Sequence, residues 1–61
     1  MTTYADHETL ARRAEQRHDW TDAATHWTRA ASVAAGERTR ERARQFAEEA
    51  LAHAQVQRSA A

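Results

Sequence analysis

The chain has no cysteine, no lysine and no proline, and its only glycine is Gly36. Without cysteine, neither a disulfide framework nor a thiolate metal site can staple the fold. Without proline, and with a single glycine, there is little material for the tight turns of a sheet. With no lysine, all nine basic residues are arginine, and nine carboxylates balance them to a net charge of zero. Neutrality argues against non-specific capture by nucleic acid. No apolar run approaches the roughly 20 residues that span a bilayer, and no signal peptide is visible, so a cytoplasmic, soluble chain is expected. Large apolar side chains are also scarce: Met1, Tyr4, Leu10, Trp20, Trp27, Val33, Phe46, Leu51 and Val56. A 61-residue chain with so few of them is expected to be a marginal monomer, or one completed by a partner or by self-association.

What is present is an alternation of indole and alanine. Trp20 and Trp27 are seven residues apart, nearly two helical turns, with Ala23, Ala24, Ala30, Ala31 and Ala34 on the same side. The stripe covers roughly 140° and faces away from Asp22, Thr25, Arg29 and Ser32. Large knobs beside small holes belong to a helix packed on other helices.

Three helices account for nearly the whole chain. The first is predicted over about 3–17, with Thr3 as N-cap and Asp6 three residues on. Its inner face carries Tyr4, His7, Leu10, Ala11 and Ala14. Asp19 can cap a second helix over 20–35, for which Gly36 is the natural left-handed C-terminal residue. The third helix is predicted over 38–54. Ala43, Phe46, Ala47, Ala50, Leu51 and Ala54 recur there at helical spacing, followed by a frayed tail over 55–61. The expected architecture is one all-α domain over 1–61, an α-hairpin with a third helix packed on it. Trp20, Trp27, Phe46, Leu10 and Leu51 are its predicted core.

Two resemblances rest on these residues. The run Leu10-Ala11, His18-Asp19-Trp20, Ala23, Trp27, Ala30 resembles one tetratricopeptide unit, which implies a tight α-hairpin. A longer stretch, roughly 10–47, resembles the ANR family of short bacterial and phage regulators. It reads Ala11, Ala14, Glu15, Asp19-Trp20, Ala23-Ala24, Trp27, Ala30-Ala31, Arg42, Arg44 and Phe46. The chain departs from that pattern at Gly36-Glu37, Thr39 and Ala47. The resemblance implies a protein that restrains a transcription activator by binding it directly.

Catalytic chemistry has no foothold in the sequence. Ser32, Ser59 and the threonines lie in no nucleophile elbow, so no enzyme is expected. His18, Asp22 and His26 recur every four residues but lack a fourth ligand, so neither metal nor cofactor is expected. Asp22 and His26 read instead as a surface pair.

The most unusual polar segment is Glu37 to Arg44, with arginine at 38, 40, 42 and 44. Arg38 and Arg40 fall in the first turn of a helix, where the macrodipole disfavours cations by about 0.3–1 kcal/mol. Pairing of Glu41 with Arg44 and of Arg44 with Glu48 offers local compensation. No aromatic lies among these arginines to stack a base, so direct nucleic-acid binding is not expected. The segment reads either as a solvated, self-paired face or as an arginine patch for an acidic protein surface, and the second is the functional expectation. Arg38, Arg40, Arg42 and Arg44 form its predicted rim, with Arg12, Arg13 and Arg29 as a second cluster.

The leading expectation is a small non-enzymatic regulator that sterically blocks a larger, nucleic-acid-handling protein. One alternative is a phage-encoded anti-CRISPR or anti-defence protein on a Cas effector subunit, using Asp6, Glu8, Glu48 and Glu49 beside the arginines. Another is a structural oligomerisation module.

Overall fold

A computed structural model describes residues 2–60; Met1 and Ala61, the ends of the expected single domain, lie outside the described residues. The element order is α1 (Tyr4–Gln16), α2 (Trp20–Val33) and α3 (Glu37–Ala60). Each start has a chemical reason. Thr3 Oγ1 accepts from Asp6 N at 3.3 Å while Thr3 N donates to Asp6 Oδ2 at 3.0 Å, a complete capping box. Asp19 Oδ1 accepts from Asp22 N at 3.2 Å and opens α2.

The turn between α1 and α2 is tight because His18 takes φ 59°, the left-handed conformation glycine usually supplies. His18 N then donates to Glu15 O and Asp19 N to Ala14 O, both at 2.9 Å. These two bonds satisfy the last carbonyls of α1 as a Schellman motif. Arg17 spans the same turn to Asp22 at 3.2 Å.

Two boundaries differ from expectation. α2 ends at Val33, not at 35, because Ala34 is extended at φ −67° and ψ 135°. Gly36 does not take a positive φ. Its carbonyl accepts from Arg40 N at 3.0 Å, so it opens α3 and does not close α2. At the other end, the helix does not stop at 54; the expected frayed tail is helical to Ala60. Ala54 is buried, and Gln57 Nε2 donates to His18 O at 3.3 Å, tying that segment to the α1–α2 turn.

α2 is the central element: it packs on both α1 and α3, while α1 and α3 meet only marginally. Both neighbours run antiparallel to α2 and so parallel to each other, within a body of 38 × 19 × 13 Å. The core is alanine around one indole. Trp27 is fully buried, among Ala11, Ala14, Ala23, Ala30 and Ala43, each with no exposed surface. The Trp27 ring lies 4.7 Å from Phe46, and its Nε1 donates to Glu15 Oε2 at 2.8 Å. Alanine lets backbones approach closely, and Trp27 with half-buried Phe46 fills the space left between them.

That close approach corrects the predicted core. Leu10 and Leu51 are 40 % and 49 % exposed, because each sits about 70° to one side of its helix's alanine stripe, outside the contact line. Trp20 is only half-buried, stacked 4.4 Å from the His53 ring and 6.1 Å from the His18 ring.

Candidate functional site

Helical geometry decides where the arginines of α3 go. Residues two apart on a helix point about 200° from one another. Arg38 and Arg42 therefore project on one flank of the buried stripe Ala43-Ala47-Ala50, and Arg40 and Arg44 on the other. The continuous rim expected over 38–44 is thus split into two separate grooves.

The first groove lies between α2 and α3 and has a volume of about 610 Å³. Thr28, Ala31, Ala47 and Leu51 form its floor, with Arg40 and Arg44 on the rim and Glu48 beside them. A shallower extension, sharing Thr28 and Leu51, continues past Ala24 to Thr21 and brings in Arg29. From Thr21 to Ser32 the combined trough runs about 16 Å along α2, three helical turns. Among the described residues Arg29, Arg40 and Arg44 make no ion pair; the expected Glu41–Arg44 and Arg44–Glu48 bridges do not form.

The second groove lies between α1 and α3. Arg12 reaches it from α1, and Arg38 and Arg42 from α3, together with Tyr4, Thr39 and Phe46. Arg12 is placed by aromatic rings, with its Cζ 5.3 Å from the Trp27 centroid and 5.8 Å from that of Phe46. Arg12 and Arg29, expected in one cluster with Arg13, are parted between the grooves, and Arg13 is exposed without lining either.

The histidines are distributed differently. His26 Nε2 lies 3.5 Å from Asp22 Oδ1, so the expected pair forms, but His26 is largely buried and the pair is not the surface one expected. The His26 ring also stacks on His7 at 6.3 Å, and the Nδ1 atoms of both are buried without a hydrogen-bond partner. Among the described residues no three His, Cys, Asp or Glu side chains are grouped to hold a metal ion, and no helix is long and apolar enough to cross a membrane.

Sequence reasoning missed Leu51 as a groove residue because its spacing fits the core pattern. Its offset from the mean direction of Ala43, Ala47, Ala50 and Ala54 was the available signal. It also missed Glu15 as the acceptor for the buried indole, for which an isolated glutamate on α1 offers no marker. Comparison of the chain with protein families, with curated proteins and with solved structures found no match.

Proposed function

We propose that this protein is a small, non-enzymatic regulator that docks on a larger, nucleic-acid-handling protein and covers its working surface. The occupant of the α2–α3 groove is an acidic amphipathic segment of that target. The observation that carries this reading is Leu51, half-exposed beside Ala31 and Ala47 and flanked by Arg29, Arg40 and Arg44, which make no ion pair among the described residues and outnumber the one lining carboxylate, Glu48. An apolar helix face with carboxylates along its edges complements that trough in shape and charge. Guanidinium groups suit the contact because they grip carboxylates through two parallel hydrogen bonds. The sequence resemblance to ANR regulators favours a transcription activator as the target.

The test is capture from host lysate, identification of the bound protein, and titration of that purified protein against wild type, Arg40→Glu/Arg44→Glu and Leu51→Asp. Each variant should weaken binding by at least about thirtyfold, the effect of a 2 kcal/mol contact at the centre of an interface. Target activity should fall in proportion to occupancy. Unchanged affinity in both variants rejects the groove. A Cas effector subunit as the captured protein would replace the activator reading with the anti-defence one. Stable self-association with no other partner would replace both with an oligomerisation module.

A further inference from the structure

The groove on the opposite flank of α3 has a different chemistry. Three guanidinium groups, Arg12, Arg38 and Arg42, converge on it from two helices, and Glu8 is the one carboxylate among its lining residues. Glu8 approaches only Arg12, at 3.6 Å; among the described residues Arg38 and Arg42 have neither an ion pair nor a side-chain hydrogen bond. The local charge is therefore close to +2.

α1 and α3 run parallel, so Tyr4 and Arg38, both within the first turns of their helices, lie at the same end of the groove, where Asp6 and Glu37 sit in those first turns. Arg38 is disfavoured there by the dipole of its own helix, which Glu37 in the same first turn offsets in part. A bound dianion would add to that compensation. Arg12 needs no reorganisation to meet one, since the Trp27 and Phe46 rings already hold its guanidinium. The groove volume of about 460 Å³ is that of a small-molecule site, and half-buried Tyr4 and Phe46 leave ring surface in it.

We infer that the Arg12–Arg38–Arg42 groove binds a phosphate monoester carried on an aromatic ring. The guanidinium groups take the phosphate oxygens, and the rings of Tyr4 and Phe46 take the aryl group. A phosphate monoester at neutral pH carries close to two negative charges and so matches the site, whereas a carboxylate or sulfate ester supplies only one. The inference does not rest on the protein-docking reading, which uses the other flank of α3.

The test is titration of the full chain with phenyl phosphate, followed by the NMR shifts of the arginine Nε–H groups. Saturable binding is expected, with Arg12, Arg38 and Arg42 shifting together and Arg40 and Arg44 unmoved. Phenyl sulfate and inorganic phosphate should each bind about tenfold more weakly, the first lacking a charge and the second the ring. Arg38→Gln/Arg42→Gln should abolish the response at unchanged helicity, since both side chains are exposed. Arg40→Gln/Arg44→Gln should leave it intact. A short phosphotyrosine peptide that binds more tightly than phenyl phosphate identifies a protein-borne ester; weaker binding identifies a free one. Absence of saturation at about 10 mM phenyl phosphate, or equal loss in both double variants, overturns the inference.

Discussion

Trp27→Ala should remove most of the protein's stability, and Trp20→Ala clearly less. Trp27 is 0 % exposed, so truncation gives up nearly all the surface an indole can bury, about 200 Å². At about 25 cal/mol per Å² that is roughly 5 kcal/mol as an upper bound, in line with the 3–5 kcal/mol typical of Trp→Ala in cores. A domain of this length has a total stability of only about 3–9 kcal/mol. Part of the loss is polar. Trp27 Nε1 donates to the Glu15 carboxylate at 2.8 Å in a part-buried setting, a bond to a charged acceptor worth about 1.5–3 kcal/mol. Trp27→Phe also removes ring volume, so a cycle of Trp27→Phe with Glu15→Gln is what separates the coupling between the two side chains. Trp20 is part-buried and stacked on His53, so the same area rule gives its truncation a cost of about 3 kcal/mol, below the combined apolar and polar loss at Trp27. The assay is urea unfolding followed by far-UV circular dichroism, which reads helix content without depending on the indole removed. A Trp20→Ala loss equal to or larger than that of Trp27→Ala would refute the assignment of Trp27 as the single buried anchor.

Two further outcomes follow from backbone and surface geometry. His18→Gly should raise stability by about 0.5–1 kcal/mol, since φ 59° costs an L-residue about 1–2 kcal/mol and glycine returns part of that gain as chain entropy. His18→Val should lower it by about 1 kcal/mol, and equal melting curves for the two variants would contradict the left-handed turn. Leu51→Ala should lower stability by only about 1 kcal/mol because the side chain is 49 % exposed; a loss near 3 kcal/mol would return Leu51 to the core.

Much of this molecule is legible before folding. The caps Thr3 and Asp19 act through bonds to residues three positions away, so local spacing reveals them. The alanine stripes of α2 and α3 are periodic, so their buried direction can be read from the helical repeat alone. Gly36 was harder. Glycine suits both the end of one helix and the start of the next, and only the backbone shows that Ala34 has already turned extended.

The amino-acid order by itself determined three amphipathic rods, alanine at their contacts and an arginine-dense third helix, because these depend on periods of a few residues. The tertiary structure decided what those periods cannot express. How closely two alanine faces approach sets whether a leucine 70° away is covered, so Leu10 and Leu51 ended partly exposed while Trp27, the largest fully buried side chain among the described residues, lies inside. Which neighbour flanks each side of α3 sets what its arginines confront, and one run of charge became two grooves: Arg40 and Arg44 over a trough lined by Ala31, Ala47 and Leu51, Arg38 and Arg42 joined by Arg12 across a gap of some thirty residues of chain. Contacts between residues so distant in sequence depend on the packing distances of whole helices, which no local pattern encodes.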